Sequence, residues 1–191
     1  MATLRGEPVD RPPVNFYELN GLTQNPKDID PFNIYTHPSW KPLLDLTKDK
    51  TDRIVMQSDR FHQIQLGTIE SARQTETYLQ DGSRITIERI QAGDRVLTSR
   101  SRRNPDLNTI WTEEHLLKNV DDLRAFLEIP TNILDNTVDT EEVIKAETAL
   151  GDTGIVMMNA PDPLCLAACL FHMEEYTLIA MFEHTLFHQL I

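Results

Sequence analysis

The spacing of apolar residues changes period along the chain, and each change predicts an element. Val14 to Leu19 alternates and carries aromatics until Asn20-Gly21 interrupts it, which predicts a first strand after the stiff Arg11-Pro12-Pro13. Trp40, Leu43, Leu44 and Leu46 then follow a helical period, so a helix is expected from Ser39 to Thr47, with Pro42 tolerated in its first turn. Arg53 to Gln57 is a short apolar run and predicts a second strand. From Thr75 the period falls to two. Thr75–Leu79 and Arg84–Ile90 flank the turn residues Gln80-Asp81-Gly82-Ser83, Arg95–Arg102 follows Gly93, and Thr109–Leu116 follows Asn104-Pro105-Asp106. These segments predict an antiparallel β-meander over about 75–116.

Helical punctuation returns at Asn119, a good cap, with Asp121 and Asp122 at the positive end of the helix dipole and Leu123, Phe126 and Leu127 on one face before Pro130. A further helix is expected from Thr140 to Gly151. Gly154 to Met158 is continuously apolar, the pattern of a parallel strand buried on both faces. Pro163–Phe171 reads as a buried helix. Leu178, Met181, Phe182, Leu186, Phe187 and Leu190 keep helical spacing up to Ile191, with no polar or glycine cap, which leads to the expectation of a chain cut inside a larger architecture. Alternating strands and helices of this kind predict an α/β fold.

A length of 191 residues with 40% hydrophobic composition suits a folded domain with a core. The net charge of -12 excludes general binding to nucleic acid or anionic membrane, because repulsion from phosphate opposes encounter. Small-molecule or protein partners are expected instead. The 2 cysteines, Cys165 and Cys169, stand four apart in an apolar run, which makes no disulfide framework and fits buried side chains in the reducing cytoplasm. Neither a signal core nor a transmembrane run is present in the sequence.

Several segments carry a family likeness. Arg11-Pro12-Pro13-Val14-Asn15-Phe16-Tyr17-Glu18, Thr109-Ile110-Trp111-Thr112-Glu113-Glu114-His115, the helix start Asp121-Asp122-Leu123, and Pro163-Leu164-Cys165 before Leu170-Phe171-His172-Met173-Glu174-Glu175 resemble the N-terminal half of uroporphyrinogen decarboxylase-like proteins. That superfamily includes the cobalamin-dependent methyltransferases. The resemblance implies a (β/α)8 TIM barrel with its active site at the carboxyl ends of the strands. A complete barrel takes about 250 residues, so the expected fold is a partial barrel carrying the meander as an insertion and stopping before its C-terminal half. It also implies methyltransferase or carboxy-lyase chemistry in a complete protein, and this chain alone is expected to be catalytically incompetent.

Two departures direct the choice of branch. True uroporphyrinogen decarboxylases carry Arg-Gln-Ala-Gly-Arg after the first strand to grip substrate carboxylates, whereas Glu18-Leu19-Asn20-Gly21 stands there in this chain. That favours the methyltransferase-like branch. The zinc site of that branch, a His-x-Cys pair and a later Cys, has no counterpart in these residues, so zinc and a corrinoid are expected only with further sequence. The ligand expected is a tetrapyrrole or corrinoid, with a corrinoid protein as partner and self-association where barrel edges stay exposed.

The resemblance puts Glu18 and Asn20 after the first strand, Ser58 and Asp59 after the second, and Asn159 and Asp162 after the strand ending at Met158, all facing the barrel mouth. Asp59 and Glu18 are the catalytic candidates. Asp59 matches an aspartate whose carboxylate would accept hydrogen bonds from pyrrole N–H groups and stabilise developing positive charge; its alternative is a turn or helix cap. Glu18 would orient substrate or act as a base, against the alternative of an exposed strand-end carboxylate. Asn20, Ser58, Asn159 and Asp162 are the ligand-binding candidates beside them.

Arg100 and Arg102 belong to a basic run with Arg95 and Arg103 and could receive phosphate or carboxylate groups bidentately, unless they pair with Glu113 and Glu114 on a solvated face. His184 and His188 have the spacing for a shared metal but no third ligand, which favours packing. A non-catalytic α/β binding or interaction module, using the meander and the apolar C-terminal helix as contact surfaces, is the competing function.

Overall fold

The computed structural model describes residues 2–16, 19, 25, 27–57, 60–63, 68–130, 136–158 and 162–191. Its elements in chain order are α1 (Lys41–Lys50), β1 (Arg53–Gln57), β2 (Arg60–Gln63), α2 (Thr68–Ala72), β3 (Arg73–Gln80), β4 (Ser83–Ala92), β5 (Arg95–Arg103), β6 (Ile110–Glu114), α3 (Val120–Leu127), β7 (Asn136–Asp139), α4 (Glu141–Leu150), β8 (Gly154–Met158), α5 (Pro163–Cys169), α6 (Met173–Phe182) and α7 (His184–Leu190). The chain divides into two compact units, Met1–His62 with Thr137–Ala160, and Gln63–Asn136 with Pro161–Ile191. No helix among the described residues is long and apolar enough to cross a membrane.

The first unit is organised by a parallel pair. β1 and β8 run in register from Arg53 opposite Gly154 to Gln57 opposite Met158. Helix α4 leads into β8 and packs on both strands. Asp139 Oδ1 accepts from the Glu141 amide at 2.9 Å at the start of α4, and Gly151 ends it at φ 53°, a left-handed conformation that a glycine adopts without steric cost. Gly154 is required for a different reason. A Cβ there would meet the carbonyl oxygen of Arg53 at 2.0 Å, so the strands approach closely only because the position has no side chain. Strands β2 and β7 form a second two-stranded sheet.

The second unit contains the four-stranded antiparallel sheet β3-β4-β5-β6. Asp81 and Gly82, both at positive φ (50° and 78°), make the tight turn between β3 and β4, the conformation that an Asp-Gly pair favours in hairpins. Ile90, Ala92 and Leu97 form the covered end of one sheet face and are buried with Leu116, Leu117, Leu123, Ile129, Phe171 and Ile179. Leu117 is bridged to Phe171, and its amide donates to the Leu170 carbonyl at 2.9 Å. Asn119 Oδ1 accepts from the amides of both Asp121 and Asp122, the cap expected for α3. Beyond Phe171, Tyr176 stacks edge-on to Phe187 with ring centroids 5.4 Å apart, tying α6 to α7.

The partial (β/α)8 barrel is corrected by this topology. A barrel needs successive parallel strands closing on themselves, whereas the described residues hold one parallel pair, a second two-stranded sheet and a purely antiparallel sheet. The first expected strand, Val14–Leu19, does not form among its described residues. Pro12 and Pro13 lack amide donors, and the backbone of Val14 is engaged by Asp52 on both sides: its amide donates to Asp52 Oδ2 at 2.9 Å and its carbonyl accepts from the Asp52 amide at 2.8 Å. The edge strands of the larger sheet are β3 and β6.

Burial also departs from the sequence pattern. Among the described residues β8 has one neighbour, not two, and Met157 and Met158 are exposed, so its continuous apolar run is not buried on both faces. Helix α5 is mostly exposed, with Ala167 its buried residue, and both cysteines on it are exposed instead of packed in a core.

Phe171 fills the centre of the second unit's core, at 1% exposure. Phe171→Ala is expected to lower unfolding stability by about 3 to 5 kcal/mol, read as a shift of the urea midpoint.

Candidate functional site

Of the residues proposed from the sequence, Glu18, Asn20, Ser58, Asp59 and Asn159 lie outside the described residues. The strand ends that lead to three of them are described. Gln57 and Met158 stand opposite each other at the last step of the β1–β8 register, so both strands terminate at the same end of the pair. Ser58-Asp59 and Asn159 are the next residues in the chain after these neighbouring ends. In parallel α/β arrangements the carboxyl ends of strands are the usual place for a ligand.

Asp162 is the N-cap of α5. Its Oδ1 accepts from the Leu164 amide at 2.8 Å, and the Cys165 thiol lies 3.6 Å from Oδ2. The nearby carboxylate raises the Cys165 pKa, by charge first and by the hydrogen bond second, which keeps the thiol protonated and makes it a poor nucleophile or metal ligand.

Arg100 and Arg102 are both held by acids, as the alternative to ligand binding required. Each pairs with Glu113, Arg102 through Nε to Oε1 at 2.8 Å, and Arg100 also donates from Nη2 to Gln80 Oε1 at 3.1 Å. A register shift between Arg100 and Ser101 allows this, because the bulge places Glu113 within reach of two arginines that are two residues apart on β5. Glu114 turns to Lys118 and Thr98, which hold its carboxyl below the usual range, the lysine contact contributing most. His184 and His188 are exposed on α7, and no group of three or more His, Cys, Asp or Glu side chains able to hold a metal occurs among the described residues.

Two features were not foreseen. At the amino ends of β1 and β8 a cavity of about 270 Å³ is lined by Leu4, Pro13, Asn15, Asp52, Asp152 and Ile155 among others. Its wall depends on Asp52, whose carboxylate takes both arms of the Arg11 guanidinium, Nη1 at 2.7 Å and Nη2 at 3.1 Å, while its carbonyl accepts from Asn15 Nδ2 at 2.6 Å. This cavity is at the opposite end of the strands from Gln57 and Met158. The second feature is a polar groove of about 340 Å³ on the β3–β6 sheet, lined in part by Arg73, Thr86, Glu88, Ser99, Ser101 and Thr112. Alternation in the meander announces two faces, but the register that lines up these hydroxyls across strands is a tertiary property.

The chain matches no family model, no curated protein and no solved structure.

The Arg11 hydrogen bonds, first, and the Val14 amide, second, lower the folded-state pKa of Asp52. A lowered carboxyl contributes stability that is complete above the unfolded value, about pH 4, and lost as pH falls through the folded value. Asp52→Asn is expected to destabilise the protein near neutral pH and to differ less from wild type near about pH 3, as measured by urea midpoints at both pH values.

Proposed function

We propose that the chain binds a tetrapyrrole or corrinoid at the carboxyl ends of β1 and β8, as a protein of the uroporphyrinogen decarboxylase superfamily nearer its corrinoid-dependent methyltransferase branch than the true porphyrinogen decarboxylases. The supporting observation is the in-register parallel pairing that ends with Gln57 beside Met158, directly before Ser58-Asp59 and Asn159. The proposal concerns this strand-end site and carries no closed barrel with it. Asp59 would accept hydrogen bonds from ring N–H groups, and Ser58, Asn20 and Asn159 would supply further polar contacts, with Glu18 orienting the ligand.

Asp162, as the N-cap of α5, and Arg100 and Arg102, as partners of Glu113, are engaged in contacts of their own. The absence of arginines between Glu18 and Gly21 favours a ligand gripped less through carboxylates than through its ring and centre. A corrinoid protein is the partner this chemistry requires, and the cytoplasm is its proposed location.

Absorbance titration of the purified chain with uroporphyrin and with hydroxocobalamin tests this. Saturable binding of one of them is expected, weakened about tenfold or more by Asp59→Asn, a change of about 1.4 kcal/mol. Binding of neither compound, or equal binding by the variant, would remove the proposal.

A second reading, a non-catalytic interaction module, is favoured by α6. This helix is apolar on several sides: Ile179 is buried at 4% exposure, while Met173, Leu178, Met181 and Phe182 are exposed, Phe182 at 72%. A helix that is apolar around its circumference has surface left to cover, and a second copy of the chain is the occupant tested first. Sedimentation equilibrium is expected to show a dimer that Phe182→Asp dissociates; a monomeric wild-type chain would exclude self-association through this helix.

A further inference from the structure

We propose that the groove of about 340 Å³ on the β3–β6 sheet is a binding site for a neutral, polyhydroxylated ligand of monosaccharide size. It belongs to the second unit and is independent of the strand-end proposal.

Cross-strand partners in an antiparallel sheet project to the same side, so the register defines rows. Ile90 and Leu97 form the covered end of one face, buried at 1% and 2% exposure. The next row holds Thr75, Glu88 and Ser99, and the row after it is a ladder of hydroxyls across the whole sheet, Thr77, Thr86, Ser101 and Thr112. Of these, Thr86, Glu88, Ser99, Ser101 and Thr112 line the groove. Ile90, Leu116 and Leu170, which belong to the core or pack against it, supply its apolar wall.

The state of those side chains fixes the kind of ligand. The hydroxyls of Ser99, Ser101 and Thr112 make no hydrogen bond among the described residues, and that of Thr86 has only Thr77 Oγ1 at 3.5 Å. Ser99 and Ser101 are half-buried, so part of their hydration is already lost and a ligand hydroxyl can replace the rest. A Ser or Thr hydroxyl donates once and accepts twice, and so does each hydroxyl of a sugar or cyclitol; an ammonium or a carbonyl would use one sense alone. A row of such groups therefore suits a ligand that carries several hydroxyls of its own.

Charge and shape narrow it further. The charged side chains of the lining are matched within the protein, Arg73 Nη1 with Glu88 Oε1 at 3.4 Å and Arg100 with Glu113. A charged ligand would compete with those pairs, and an anion would also meet the repulsion of a chain with a net charge of -12. A neutral ligand meets neither obstacle. Ligand pockets run from about 300 to 1,000 Å³, so a groove of about 340 Å³ suits one ring better than a chain of rings. The C–H face of that ring lies against Leu116 and Leu170, its hydroxyls reach the Ser101 row, and the Glu88 carboxylate accepts from one of them.

The test is an amide-resolved titration of the full chain with D-glucose and, separately, with myo-inositol. Two companions serve as controls: cyclohexanol keeps the ring with a single hydroxyl, and glucuronate adds a carboxylate to the sugar. Saturable shifts at the amides of Ser99, Ser101 and Thr112 are expected with at least one polyol, with cyclohexanol weaker by about tenfold or more and glucuronate no tighter than glucose. Ser101→Ala and Thr112→Val are each expected to lower the polyol affinity about tenfold, and to melt as the wild type does because neither hydroxyl has a partner in the fold. The site is overturned if neither polyol shifts these amides, if cyclohexanol binds as tightly, or if the variants keep wild-type affinity. Tighter binding of glucuronate than of glucose would overturn the neutral assignment. Should Ser101→Ala fail to fold, Thr112→Val on the edge strand β6 decides alone.

Discussion

The second unit depends on the joint between Leu117 and Phe171. These residues are 0% and 1% exposed and bridge segments that lie far apart in sequence, the stretch leaving β6 and the end of the α5 turn. The Leu117 amide is satisfied by the Leu170 carbonyl, so burial here leaves no unpaired backbone donor, a condition for packing two irregular segments in a core. Around that joint, Leu123 of α3 and Ile179 of α6 close on Ile90 and Leu97 of the sheet. The helices thus cover only the end of the sheet where these aliphatic side chains lie. Next to that end the same face turns polar, and Glu88, Ser99, Ser101 and Thr112 line a groove with Leu116 and Leu170.

A two-residue period gives the meander two chemically different surfaces. Arg100 and Arg102 share one side with Glu113, and the bulge after Arg100 aligns that carboxylate with both guanidiniums. Arg84 and Arg103 share the other side, in line with hydroxyls. Adjacent residues Arg102 and Arg103 therefore project to opposite faces of the sheet, Arg102 on the side of Glu113. A change of register by one residue would exchange them.

The first unit is held by a different device. Asp52 uses its carboxylate, amide and carbonyl at once to fasten Arg11, Val14 and Asn15 beside the start of β1. A segment with two prolines cannot supply the donors of a sheet strand, and a single aspartate substitutes for the ladder it cannot make. The missing side chain of Gly154 then lets β8 close on Arg53. The outcome is a parallel pair whose carboxyl ends coincide, without the succession of neighbours that a barrel demands.

The local elements were legible in the sequence. Arg53–Gln57 and Gly154–Met158 are strands, the Asp81-Gly82 turn joins β3 to β4, and Asn119 caps α3, because dihedral preference, capping and apolar period are properties of a few adjacent residues. Of the candidate site, the sequence placed Ser58-Asp59 and Asn159 after strands, and it raised the pairing of Arg100 and Arg102 with acids as an alternative. It did not reveal that Val14 is drawn to Asp52, that Cys165 and Cys169 face solvent, or which strands are neighbours. Those outcomes depend on contacts between residues tens of positions apart, where the competition for backbone partners and apolar surface is settled by the whole fold. Strand order and register, which no local pattern encodes, decided that the described residues form no closed barrel and which arginines meet Glu113.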